Sequence, residues 1–130
     1  MRFTLDEWML RLYPGLGFDT LAYGSRAEQV KVLIWSGAEQ VLAAGTDVVL
    51  DWNTRSVERR RWAVARARAA GADVVLHKLT TPVEIASARA RVRSATGRAF
   101  AHPVTAAGNE HLATLMEEPS PDEGMRIVEL

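Results

Sequence analysis

Val48-Val49-Leu50-Asp51-Trp52-Asn53, with the run from Ser56 to Ala70-Gly71 behind it, decides the fold of this 130-residue chain. A continuous β-branched and apolar run marks a strand buried on both faces. An aspartate closes that strand. A helix beginning at Ser56 and Arg59 then leads to a second such run, Val74-Val75-Leu76-His77-Lys78-Leu79. Strand, helix, strand in this order implies parallel pairing through a right-handed crossover.

The pattern extends in both directions. Arg2 to Thr4 reads as a short strand, and Leu5 to Tyr13 as a helical turn. Pro14-Gly15-Leu16-Gly17 is a breaker loop. The next helix is expected from Ser25 to Ala44, with Ser25 as N-cap and Glu28 three residues on completing a capping box. Val30, Leu33, Ile34, Val41 and Leu42 form its apolar stripe, and Gly45 fits the C-cap. Beyond the second strand, Pro82 suits the first turn of a helix running to Ala95. Residues 97–103 read as a loop, Thr105 to Glu117 as a helix stopped by Pro119 and Pro121, and Met125 to Leu130 as a final strand. The order β-α-α-β-α-β-α-α-β predicts one α/β domain over residues 1–130. Its parallel sheet would hold four strands with helices on both faces.

Bulk composition narrows the function classes. At 48% hydrophobic and 25% charged, the chain is ordinary for a globular protein. Formal net charge is zero, which argues against a nucleic-acid binder, as does the scatter of Trp8, Trp35, Trp52 and Trp62. The absence of cysteine excludes disulfides, thiol nucleophiles and thiolate metal sites, and it suits a reducing cytoplasm. The charged start is not expected to be a signal peptide, and no run reaches the ~20 apolar residues of a membrane span. His77, His102 and His111 lack ligand spacing, and His77 reads as a core or edge histidine.

Basic charge is nearly all arginine, in two clusters. One holds Arg55, Arg59, Arg60, Arg61, Arg66 and Arg68; the other holds Arg89, Arg91, Arg93 and Arg98. One reading is a genome that writes arginine for lysine on solvated helix faces. The other is that some of these forks bind phosphate. Arg55 and Arg59 stand at a helix start, where backbone amides favour anions, and could grip an acceptor group. Arg89 and Arg93 are four apart on one helical face, a repulsive spacing unless an anion or carboxylate offsets it.

Two aspartates follow strands. Ligand crevices in open α/β sheets lie at the carboxyl ends of strands, and an acidic residue there can hold magnesium in phosphoryl transfer. Asp51 occupies such a point; a turn or capping aspartate is the other reading. Asp6 follows the first strand in the same way, and its other reading is an N-cap.

Phe3-Thr4-Leu5-Asp6-Glu7-Trp8-Met9, Val48 to Asn53, Glu58-Arg59-Arg60 and Pro119-Ser120-Pro121-Asp122-Glu123-Gly124 together resemble the body of a P-loop kinase-like ATP-binding protein. The group is that of zeta-toxin-like and chloramphenicol-phosphotransferase-like kinases, and the resemblance runs from Phe3 to Leu130. It implies a three-layer α/β/α fold with a mostly parallel sheet, ATP and Mg2+ as cofactors, and a small-molecule phosphate acceptor. It also implies Asp51 as metal ligand and Asp6 as the base near the acceptor hydroxyl. Arg89 and Arg93 become lid arginines, and Pro121 and Asp122 part of the loop lining the adenine. Such proteins open with a strand and GxxxxGK[ST], whose amides hold the phosphates. The only lysines here, Lys31 and Lys78, do not stand in that motif.

The expectation is therefore a form lacking the first strand and phosphate loop, inactive as a kinase alone. The alternative is a non-catalytic binding or assembly domain that keeps the scaffold. The absent strand would lie between the two runs quoted at the outset. If those do not pair with each other, their open edges would favour a homo-oligomer.

Overall fold

The computed structural model describes residues 1–97 and 104–130. The expected loop at 97–103 falls almost wholly outside the described residues, as do Arg98 and His102. The described residues form two compact units, one within Met1–Trp52 and the other from Asn53 onward.

The first unit contains β1 (Arg2–Thr4), α1 (Leu5–Leu12), α2 (Leu21–Ala43) and β2 (Val49–Asp51). β1 and β2 pair in parallel, with Phe3 opposite Leu50 and Thr4 opposite Asp51. Phe3, Leu5, Met9, Val30, Ile34 and Trp35 are buried, so α2 supplies one side of the core and β1 with α1 the other. Gly37 of α2 faces the Phe3 ring, and a Cβ there would stand 3.9 Å from it, an ordinary van der Waals contact.

α2 begins four residues before the expected Ser25. Its N-cap is Thr20, whose hydroxyl accepts a hydrogen bond from the Tyr23 amide at 3.2 Å. The same hydroxyl donates to the Gly17 carbonyl at 2.7 Å, which ties the breaker loop to the helix start. Ser25 is thus an interior residue of the first turns.

The second unit contains α3 (Val57–Ala69), β3 (Val75–Lys78), α4 (Val83–Ala95), α5 (Ala106–Thr114), a 3-10 turn (Pro121–Glu123) and β4 (Arg126–Glu129). β3 and β4 are parallel, with Leu76 opposite Ile127 and Lys78 opposite Glu129. Ser56 and Thr105 cap α3 and α5 through their hydroxyls, as their residue types favour. α5 stops at Thr114, short of the expected Glu117. Asn109 of α5 donates to the Ser87 hydroxyl of α4 at 2.9 Å, joining the two helices.

The alternation of strands and helices and the parallel sense of both pairs establish an α/β fold. Two expectations change in detail. Among the described residues the strands form two two-stranded sheets, β1-β2 and β3-β4, rather than one sheet of four. β2 is also not buried on both faces: Val49 is 57% exposed and Asp51 is exposed. An apolar run marks a strand able to be covered on both sides, but coverage depends on neighbours distant in sequence.

Arg60 is the other departure. It sits within a run of three arginines read either as a solvated helix face or as phosphate-binding forks, yet its side chain is 1% exposed. Its Nε donates to Glu123 Oε2 at 2.7 Å and Nη2 to Glu123 Oε1 at 3.0 Å, while Nη1 donates to the Thr54 carbonyl at 2.9 Å. A planar fork with a bidentate carboxylate and a carbonyl satisfies a buried guanidinium.

Candidate functional site

In the first unit the two aspartates stand at one edge. Because β1 and β2 run parallel, their carboxyl ends coincide. Asp51 is the last residue of β2, and Asp6 lies in the first turn of α1, two residues beyond β1. Thr4 donates its hydroxyl to Asp51 Oδ2 at 3.4 Å, and an Arg2 nitrogen lies 3.9 Å from the same oxygen. Arg2 is engaged more closely by Glu7, at 2.9 Å. The Asp51 side chain is 56% exposed, so its carboxylate is open to a ligand.

Asp6 has a neighbour that sequence reading did not single out. Burial pushes the Tyr23 phenol up to about 12, and the Asp6 charge adds to the rise. A carboxylate beside a phenol opposes its ionisation, so Tyr23 stays protonated and able to donate near Asp6. No motif spacing links the two, which belong to different helices.

In the second unit Arg55 and Arg59 bracket the start of α3, both half-buried. The segment carrying Arg55 is fixed from several sides. The Asn53 side-chain oxygen accepts from the Arg55 amide at 3.0 Å. The Glu117 amide donates to the Arg55 carbonyl at 2.9 Å, and the Glu117 carboxylate accepts from the Val57 amide at 2.7 Å. The guanidinium of Arg55 forms no ion pair among the described residues.

Arg89 and Arg93 are exposed on α4, and neither forms an ion pair among the described residues. Pro121 and Asp122 are exposed in the 3-10 turn, while the adjacent Glu123 points inward to Arg60. Ser120 and Glu123 form a capping box around this turn, and Gly124 closes it at φ 79°. The loop expected near the adenine is therefore held rigidly from inside, with its exposed residues presented outward.

A cleft of about 290 Å3 opens at the carboxyl end of β3, lined by Arg55, His77 and Lys78 with Leu76, Leu79 and Met116. Lys78 donates to Glu118 at 2.7 Å and lies 3.5 Å from Glu129. The hydrogen bond to Glu118 raises the Lys78 ammonium above its ordinary value, so it remains charged. Lys78 stands in no motif, and its partners Glu118 and Glu129 come from segments distant along the chain. His77 is exposed on β3, a strand of a two-stranded sheet, which is the edge alternative and not the core one.

Among the described residues no group of three or more His, Cys, Asp or Glu side chains gathers as a metal site. A magnesium ion in phosphoryl transfer needs few protein ligands, since water and phosphate oxygens complete its shell. The hard oxygens of Asp51 and Thr4 at one strand edge fit that partial role. Among the described residues no helix is long and apolar enough to cross a membrane. No curated protein matches this chain. The model of the AAA domain family matches residues 1–119, nearly the whole chain, and its α/β architecture agrees. The protein therefore belongs to the AAA domain family, with the P-loop kinase-like fold of nucleotide-binding proteins.

Proposed function

We propose that this chain is the acceptor-side and lid portion of an ATP-dependent small-molecule kinase, inactive in transfer without a phosphate loop. The observation that supports this most is the shared carboxyl edge of β1 and β2, which brings Asp6 and Asp51 to one side of a parallel pair. In this reading Asp51, with Thr4 beside it, holds Mg2+, which when bound neutralises charge on the phosphoryl oxygens. Asp6 accepts the proton of the acceptor hydroxyl as that oxygen bonds to the γ-phosphorus of ATP, the bond from that phosphorus to the β–γ bridging oxygen breaks, and ADP leaves. Tyr23 orients the Asp6 carboxylate. In the second unit, taken by itself, Arg55 and Arg59 are the substrate-binding candidates, Arg89 and Arg93 the candidate contacts to nucleotide phosphates, and Pro121 and Asp122 the candidate flank of the adenine. The absence of cysteine suits a cytoplasmic setting.

A second reading, a non-catalytic binding or assembly domain, draws on the lack of GxxxxGK[ST] in these 130 residues. It would also use the unpaired edges of the two sheets for association with another copy.

The test is a fusion that places a strand, a GxxxxGK[ST] loop and a helix before Met1. Nucleotide binding with slow phosphate transfer or hydrolysis is expected. Asp51→Ala should then abolish turnover, and Asp6→Ala should lower acceptor phosphorylation more than nucleotide affinity. A fusion that binds no nucleotide, or turnover unchanged in both variants, selects the assembly reading.

A further inference from the structure

The cleft at the carboxyl end of β3 has a chemistry of its own. Two permanent cations, Arg55 and Lys78, line it together with His77, while Leu76, Leu79 and Met116 supply an apolar part. We propose that this cleft binds a small phosphomonoester, with Arg55 and Lys78 on the phosphate and the organic part against Leu79 and Met116.

Three observations support this. First, the Arg55 guanidinium lines the cleft with no ion-pair partner among the described residues, although it is half-buried. A partly desolvated guanidinium is stabilised by an anion, and its fork matches phosphate oxygens. Second, its backbone is fixed by Asn53 and Glu117, so little backbone freedom is lost when a ligand arrives. Third, Lys78 is held by two carboxylates that are themselves solvated, Glu118 at 72% and Glu129 at 64% exposed. Exposed ion pairs are weak, so an incoming dianion can share or displace Glu118 without leaving a buried charge unpaired. A volume of about 290 Å3 is ample for a phosphate and a few carbon atoms.

The inference rests on the proposed kinase reading in one respect: it names the class of acceptor that Arg55 would grip. Binding itself requires no phosphoryl transfer and can be read on the chain as it stands. The experiment is an NMR titration of the 15N-labelled chain at constant ionic strength with inorganic phosphate, ethyl phosphate, adenosine monophosphate and ethanol. Ethyl phosphate is expected to bind several-fold more tightly than inorganic phosphate, and ethanol not at all. Amide shifts should centre on residues 54–56 and 77–80. Arg55→Gln and Lys78→Gln should each weaken ethyl phosphate by about tenfold or more, from the loss of a charge-assisted contact, and Arg55→Lys should lie between.

Shifts centred elsewhere, no saturable binding, or unchanged affinity in both glutamine variants would overturn the proposal. So would adenosine monophosphate binding where ethyl phosphate does not, because the phosphate would then be a nucleotide's. The shift map on the unsubstituted chain decides the matter even if a variant fails to fold. Phosphate binding without transfer by the fusion removes the kinase reading alone; transfer without phosphate binding in this cleft removes this inference alone.

Discussion

Arg60 and Glu123 meet through two parallel hydrogen bonds of 2.7 and 3.0 Å, with side chains 1% and 4% exposed, across 63 residues of sequence. The pair fastens the turn at Pro121–Glu123 to α3, and through the Thr54 carbonyl it also reaches the segment that carries Arg55.

Removing one partner leaves an uncompensated buried charge. Glu123→Gln should therefore destabilise the chain by about 3–5 kcal/mol in urea unfolding, whereas the double variant Arg60→Met, Glu123→Leu should recover most of that loss. Hydrogen bonds from Arg60 hold the Glu123 carboxyl below its ordinary value, against the opposing effect of burial. The pair's contribution is thus complete above the ordinary carboxylate range and is lost as pH falls through the depressed folded value. An acid unfolding profile unchanged in the double variant would count against this account.

The start of α2 gives a sharper local test. Thr20→Ala removes the side-chain acceptor of the Tyr23 amide and should cost about 1 kcal/mol. Ser25→Ala, inside the helix, should cost nothing or slightly stabilise, because alanine has the higher helix propensity. Thermal unfolding of the two variants, with the opposite ranking, would restore Ser25 as the cap.

Tyr23 should titrate late. Its phenol, raised to about 12 by burial and by Asp6, contributes stability that is present below its ordinary value of 10.0 and fades as pH rises through 12. Absorbance titration of tyrosinate should show this late phase. Asp6→Asn should move it to lower pH without abolishing the shift, since burial is the larger cause. A Tyr23 midpoint indifferent to Asp6→Asn would separate the two groups and weaken the orienting role proposed for Tyr23.

The 130-residue chain should bind Mg-ATP only weakly. Arg89 and Arg93, exposed on α4, offer point charges, but these 130 residues hold no run of backbone amides of the GxxxxGK[ST] kind to surround the phosphates. Micromolar affinity in a calorimetric titration would show that other residues of this chain replace that loop.

Local chemistry was legible in the sequence. Ser56, Thr105 and Gly45 announce helix ends because a cap involves atoms only a few residues apart. The start of α2 was less legible: Ser25 with Glu28 has the spacing of a capping box, but Thr20 upstream caps the helix instead. Strand partners were less legible: the alternation implied parallel pairing, but nothing local tells β2 that its neighbour is β1. The same holds for the candidate sites. Asp6 and Asp51 stand out because each follows a strand. Tyr23 and Lys78 acquire meaning only from neighbours brought by folding, and Arg60 looked like two other arginines beside it until its carboxylate appeared on a distant turn.

That long separation has a consequence for synthesis. A ribosome-bound chain carries Arg60 for 63 residues before Glu123 is made, several seconds at roughly 5–20 residues per second. Through that interval α3 can form, but β3 has no β4 to pair with and the guanidinium has no carboxylate to enter the interior with. The unit up to Trp52 has its strand pair and core in hand by then. Nascent chains stalled after residue 110 should accordingly protect the first unit from protease while the second is still open, with Arg60 in water serving as a solubilising charge until its partner emerges.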